Sequence, residues 1–180
     1  MKTELDIVRD VSDRLSKLGI PYMLTGSMAM NYYATPRMTR DIDLVIEWTP
    51  EHTRAFVQEF GAEYYIPPEP VLTAARASSQ FNLIHKESVI KVDCIVRRES
   101  PYGQAEFARR QAVAIGDFVT FIVSKEDLIL SKLWWTRDSR SELQLQDVRT
   151  LLATGYHEQY VLEWAKRIGV EELLRECRRG

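Results

Sequence analysis

Residues 24–46 read LTGSMAMNYYATPRMTRDIDLVI, a segment in which a glycine–serine pair is followed, after thirteen intervening residues, by an Asp-x-Asp pattern. On a strand, residues i and i+2 point to the same face, so Asp41 and Asp43 project together while Ile42 and Leu44 point to a core. Two close carboxylates repel each other, and a cation that prefers oxygen ligands, such as Mg²⁺, relieves the repulsion. The segment predicts a tight turn followed by a strand that carries a cation-binding acid pair.

A third carboxylate stands inside another apolar strand pattern, IKVDCIV over residues 90–96. If that strand lies beside the one with the acid pair, Asp93 joins the pair at one edge of the sheet. Three acids can hold two metal ions, of which one activates an attacking oxygen and the other steadies phosphates and the leaving group. The glycine–serine turn then has a purpose, because glycine permits close backbone approach and helix N-terminal amides favour phosphate.

Periodicity along the rest of the chain predicts an α/β (α+β) protein with a mixed sheet, flanking helices and a helical C-terminal part. Helices are expected over 3–18, 28–34, 49–61, 103–110, 124–135, 139–153, 157–168 and 170–178, and strands over 21–25, 41–46, 81–85, 89–96 and within 112–123. Thr49, Ser124 and Ser139 are the expected helix caps. We expect an α/β core over residues 1–123 and a helical region over 124–180 that packs on it.

Composition excludes several classes of protein. The 180 residues include 24 basic and 26 acidic side chains, a net charge of -2 that argues against a nucleic-acid coat or a membrane-surface binder. Two cysteines, Cys94 and Cys177, are too few for a disulfide scaffold and form no zinc spacing with the histidines. The charged N-terminus has no signal-peptide pattern and no stretch is apolar enough to span a bilayer, so a cytoplasmic location is expected.

The order of these motifs resembles the nucleotidyltransferase superfamily that includes DNA polymerase beta. Its pattern matches Leu24-Thr25-Gly26-Ser27, Asp41-Ile42-Asp43-Leu44 and Asp93, with a threonine at position 25 where the family prefers an apolar residue. The sequence is most similar to the small bacterial AbiEii-like nucleotidyltransferases of phage-defence systems. Those proteins carry a lysine and an aspartate on two later helices, which Lys132 and Asp147 match. The resemblance spans residues 22 to about 152 and implies the nucleotidyltransferase fold.

The resemblance also implies a reaction, the transfer of NMP from an NTP such as ATP to an acceptor, with release of pyrophosphate. Two Mg²⁺ ions, with Mn²⁺ as an alternative, would be held by three acids, Asp41, Asp43 and Asp93. Asp93 would be nearest the attacking group, as ligand or base, and Lys132 would supply catalytic positive charge. The nucleotide would be held by Gly26, Ser27, Arg40, Lys132 and Asp147. Known acceptors in the superfamily are RNA, proteins and small-molecule antibiotics, and AbiEii-like members act as toxins with a partner protein from a neighbouring gene.

Other function classes stay open on the sequence alone. A catalytically silent, antitoxin-like binding protein would keep the fold and never bind NTP. A two-metal nuclease also clusters carboxylates, but it has no triphosphate for the glycine–serine turn to cradle.

Several of the candidate residues also have a plainer interpretation. Lys132 would lie on a solvated helix face, and Asp147 would pair with Arg149 or Arg140. Arg40 would only neutralise the neighbouring Asp41. Because adjacent residues cannot share one helix face, at least one of the two tryptophans at positions 134 and 135 is expected in the core.

Overall fold

A computed structural model describes residues 2–34, 36, 39, 41–67, 71 and 80–179. The described helices are α1 Glu4–Lys17, α2 Gly26–Tyr33, α3 His52–Phe60, α4 Pro101–Ala108, α5 Lys125–Thr136, α6 Glu142–Ala153, α7 Glu158–Arg167 and α8 Glu171–Arg179. The described strands are β1 Tyr22–Thr25, β2 Asp41–Ile46, β3 Tyr64–Tyr65, β4 Gln80–His85, β5 Lys91–Val96, β6 Gln111–Ile115 and β7 Phe118–Ile122. Most predicted elements are present, and the two-residue β3 was not predicted.

Within the described residues, seven strands form one mixed sheet in the order β3-β4-β5-β2-β1-β7-β6. Strand β2 runs antiparallel to β1 and parallel to β5, and β1 runs parallel to β7. The two acid-bearing strands, β2 and β5, are direct neighbours over their whole length. The predicted α/β class with a mixed sheet and flanking helices is confirmed.

The two faces of the sheet differ because the central strands alternate strictly. Ile42, Leu44 and Ile46 on β2 are buried, whereas the residues between them are less so. Helix α1 covers this apolar face, where Ser12 Oγ lies 2.9 Å from Thr120 Oγ1 of β7. The other face carries the acids, with helix α5 beside them.

Two of the three predicted helix caps are wrong. Helix α6 begins at Glu142 with Ser141 as its N-cap, because Arg140 has a φ of 52° and a left-handed residue cannot start a right-handed helix after Ser139. Helix α3 begins at His52 rather than directly after Thr49. Ser124 is confirmed as a cap, since its side chain accepts a hydrogen bond from the Asp127 amide.

The hydrophobic core contains residues from both predicted regions, including Leu133 and Val148 from the helical part, so those helices pack into the same core as the sheet. The division at residue 123 stays a prediction. Cys94 and Cys177 are both buried. Among the described residues, no helix has both the length and the apolar character needed to cross a membrane.

Candidate active site

Four polar side chains form a row across the middle of the sheet. Thr25 pairs with Asp43, Asp43 pairs with Asp93, and Asp93 pairs with Asn82 in the strand register. Residues paired across neighbouring strands present their side chains to the same face. The register therefore brings Asp43 and Asp93 side by side, although 49 positions separate them in the sequence.

Asp41 lies one row further along the same face. Its register partner on β5 is Lys91, and its side chain is 62% exposed. Burial, and then the nearby carboxylates of Asp93 and Asp41, raise the pKa of Asp43 to about 6, and Lys132 and Lys91 oppose this rise. The three acids therefore act on one another electrostatically, with Asp43 at the centre.

A lysine lies among these acids. Lys91 Nζ is 2.8 Å from Asp93 Oδ2 and 4.0 Å from Asp41 Oδ1. The hydrogen bond to Asp93 is the main cause of the raised pKa of Lys91. In the part of the chain that the structure describes, no group of three or more Asp, Glu, His or Cys side chains is arranged to hold a metal ion. The carboxylate oxygens of Asp43 and Asp93 are of the kind that Mg²⁺ prefers as ligands, and the Lys91 ammonium already contacts one of them, Asp93 Oδ2.

The start of helix α2 lies directly beside Asp43. Gly26 has a φ of 60°, and a Cβ atom there would overlap Asp43 Oδ2 and lie 2.8 Å from its Cγ. Only glycine satisfies both the left-handed backbone and the close approach. The first turn of α2, with Ser27, is thus held against the central carboxylate, and the amides at a helix N-terminus favour an anionic ligand.

A cavity of about 400 Å³ opens between the acid face and the C-terminal helices. Gly26, Ser27 and Asp43 form one wall. The opposite wall and rim include Leu128, Ser131, Lys132, Trp135, Ser139, Ser141 and Gln144. The helical part therefore completes a cleft that begins at the sheet.

Lys132 is a buried residue in the wall of this cavity. Its side chain is only 4% exposed, and its Nζ donates to Asp147 Oδ2 at 2.8 Å and to Gln144 Oε1 at 2.9 Å. The solvated-face interpretation of Lys132 is therefore wrong. The alternative pairings of Asp147 are wrong too, because each of the two arginines pairs elsewhere, Arg149 with Glu142 and Arg140 with Glu176.

Asp147→Asn is expected to lower the free energy of unfolding by about 3 kcal/mol, because the variant loses the carboxylate of a buried ion pair. Urea unfolding of both proteins measures the change. Glu142→Gln is the matched control, since Glu142 is exposed in its pair with Arg149 and should change stability far less than Asp147→Asn does. Equal effects of the two substitutions would contradict a special role for the buried pair.

Asp147 holds Lys132 and is not among the described residues that line the cavity. Arg40, the remaining predicted nucleotide ligand, lies outside the described residues. The two tryptophans separate as expected. Trp134 packs against the core, whereas Trp135 is 55% exposed and lines the cavity.

Three further residues at the site were not singled out from the sequence. Lys91 could have been found by its i−2 spacing from Asp93, which places both on one face. Gln144 and Glu106 have no sequence signal, because their place depends on helix packing. Glu106 lines a narrow cleft next to the cavity, and burial raises its pKa to about 8.

This chain is similar to known proteins in its fold. The sequence matches no family model and no curated protein. The fold is similar to that of the lincosamide antibiotic adenylyltransferase LnuA, in a structure with lincomycin bound. The two chains are 18% identical, with a TM-score of 0.56, and the match covers 85% of this chain and 98% of LnuA. The fold is also similar to that of the antibiotic-resistance factor ANT(2'')-Ia, at 14% identity, a TM-score of 0.62 and 98% coverage of both chains.

A third similar structure is an antigenic nucleotidyltransferase-like protein from Paracoccidioides brasiliensis. It is 17% identical, with a TM-score of 0.60, and the match covers 94% of this chain and 90% of that one. These neighbours share the nucleotidyltransferase fold with this chain, while membership of the superfamily and the narrower AbiEii-like relation stay predictions. At identities this low they establish the fold, and the chain has the nucleotidyltransferase fold.

Proposed function

We propose that this protein is a metal-dependent nucleotidyltransferase that moves NMP from an NTP to an acceptor hydroxyl. One observation carries the proposal: the start of α2 is pressed against Asp43, which itself lies beside Asp93. A helix start, which favours phosphate, thus lies next to two carboxylates of the kind that Mg²⁺ prefers as ligands, and this supports the proposal. Lys132 lines the same cavity and supports the proposal, because an ammonium can donate hydrogen bonds to phosphate oxygens.

In the proposed reaction the acceptor oxygen forms a bond to the α-phosphorus, and the bond between that phosphorus and the oxygen bridging to the β-phosphate breaks. Pyrophosphate leaves. Asp41, Asp43 and Asp93 would hold Mg²⁺, which when bound supplies charge neutralisation and oxygen activation. Gly26 and Ser27 would bind the triphosphate, and Asp93 would be placed to accept the proton of the attacking hydroxyl. Asp147 and Gln144 would orient Lys132 toward the phosphates.

The acceptor is proposed to be a small molecule that bears hydroxyl groups. Support comes from size, because ANT(2'')-Ia and LnuA match over nearly their whole length, and their structures hold adenylyl-2''-tobramycin and lincomycin, respectively. A chain of this length is thus enough for a fold that handles both a nucleotide and such an acceptor. RNA and protein are the other acceptor classes to be tested.

Transfer assays test the function directly. The protein is incubated with each α-labelled NTP, Mg²⁺ and one of three acceptor pools: hydroxylated antibiotics, cellular RNA or cellular protein. Labelled acceptor is expected with the wild type and not with the Asp41→Ala/Asp43→Ala variant. Equal label with both proteins in every pool would contradict the proposal, and NTP binding without transfer would favour a silent binding protein.

A toxin-like role is part of the proposal and has its own test. Induced expression is expected to arrest growth, and co-expression of the neighbouring gene should relieve the arrest. The Asp41→Ala/Asp43→Ala variant serves as the inactive control. Growth arrest by the variant would show that any toxicity is independent of nucleotide transfer.

A further inference from the structure

We propose that Lys91 is an internal counter-ion of the three acids Asp41, Asp43 and Asp93, and that a divalent cation displaces its ammonium from Asp93 when it binds that carboxylate. The inference rests on the proposed function, because it assumes that the acids take up a metal ion. It adds a residue that controls cation occupancy and that does not itself belong to the ligand set.

The position of Lys91 follows from strand geometry. Lys91 and Asp93 are two residues apart on β5 and share a face, and Lys91 is the register partner of Asp41 on β2. One ammonium therefore lies near two of the three acids, 2.8 Å from Asp93 Oδ2 and 4.0 Å from Asp41 Oδ1. The third acid, Asp43, lies against Gly26.

Competition follows from the chemistry of the two cations. The ammonium uses the Asp93 oxygen as a hydrogen-bond acceptor, and Mg²⁺ would need the same carboxylate as a ligand at about 2.1 Å. A divalent ion and an ammonium that share one carboxylate oxygen also repel each other. An ammonium and a divalent ion on one carboxylate therefore compete, and each weakens the binding of the other.

The Lys91 side chain is partly exposed to solvent. It is 40% exposed, so water can hydrate the ammonium once it leaves Asp93, unlike that of the 4% exposed Lys132. While Lys91 pairs with Asp93, its positive charge already compensates part of the negative charge of the three acids. We therefore expect metal affinity in the wild type to be weaker than the three acids alone would give.

Mn²⁺ titration followed by electron paramagnetic resonance provides the test, with no need for turnover. Lys91→Met should bind Mn²⁺ about tenfold more tightly than the wild type, because it removes the competing charge. Lys86→Met is the matched control for net charge, since Lys86 Nζ bonds to the backbone carbonyls of Gly61 and Ala62, and it should stay within about twofold of the wild type.

Equal or weaker Mn²⁺ binding by Lys91→Met would overturn the inference and leave the proposed function standing. Absence of Mn²⁺ binding in the wild type and both variants would overturn the inference together with the metal-dependent function.

A second measurement uses the unmodified protein, in case Lys91→Met does not fold. Acetylation of lysines by an amine-reactive reagent, read by mass spectrometry, is expected to increase at Lys91 when Mn²⁺ is added and to stay constant at Lys86. Unchanged Lys91 reactivity at saturating Mn²⁺ would overturn the proposal.

Discussion

Asp43→Asn is expected to reduce nucleotide transfer by about a thousandfold or more while making the metal-free protein more stable above neutral pH. The loss of activity follows from the position of Asp43 between Gly26 and Asp93, where a neutral amide is a much poorer metal ligand. Such a pairing of lost activity with gained stability is typical of a residue held in place for function.

The gain in stability has a definite pH dependence. The pKa of Asp43 is about 6 in the folded protein against an ordinary value of 3.8, so the protonated carboxyl favours the fold below pH 4. That contribution is lost as the pH rises through about 6, because the ionised carboxylate is partly buried beside Asp93 and Asp41. The amide of the Asp43→Asn variant carries no charge, so in EDTA at pH 8 the free energy of unfolding of this variant should exceed that of the wild type by about 1 to 2 kcal/mol.

Urea unfolding at pH 4 and pH 8, together with the transfer assay, measures both effects. The gain should vanish at pH 4. Asp13→Asn is the matched control, because Asp13 lies on the exposed side of α1 and should change neither activity nor stability appreciably. A variant that loses activity and is also less stable at pH 8 would point to structural damage instead.

Gly26→Ala is expected to lower transfer by at least about a hundredfold, because the new Cβ would displace the Asp43 carboxylate from its place in the row. The free energy of unfolding should fall by about 2 kcal/mol or more, from left-handed backbone strain together with the steric overlap. Chemical denaturation and the transfer assay measure the two effects.

Gly19→Ala separates the two causes. Gly19 has a φ of 66°, close to that of Gly26, yet a Cβ there would have no atom within 4 Å. The control therefore carries the backbone strain, about 1 kcal/mol, without the overlap, and should keep full activity. If both variants lost activity equally, the contact between Gly26 and Asp43 would have no functional role.

The sequence predicted the local features of this protein well. Alternation in DIDLVI and IKVDCIV marks strands with one apolar and one polar face, and the structure has β2 and β5 at those places. Helix boundaries were less accurate where a cap depends on a single dihedral angle. Ser139 matches a capping pattern, but the left-handed Arg140 delays the helix to Glu142.

The partners of the charged residues were harder to predict. Lys132, Asp147 and Arg149 lie on neighbouring helices, and the plainer interpretation of the sequence was a solvated lysine and an aspartate–arginine pair. Packing of α5 against α6 instead buries Lys132 with Asp147 and leaves Arg149 with Glu142. A lysine reads the same in a sequence whether its helix face is covered or open, because burial depends on which helix packs against it.

By itself, the sequence determined the fold class, the turn at Gly26 and the presence of acids on one face of two strands, because side-chain alternation and glycine conformation act over a few neighbouring residues. Only the tertiary structure decided that β2 lies parallel to β5 with Asp43 opposite Asp93, that Lys91 neutralises part of the row, and that α5 closes the cavity. These features depend on strand register and helix packing between distant segments, where many arrangements satisfy the same local pattern.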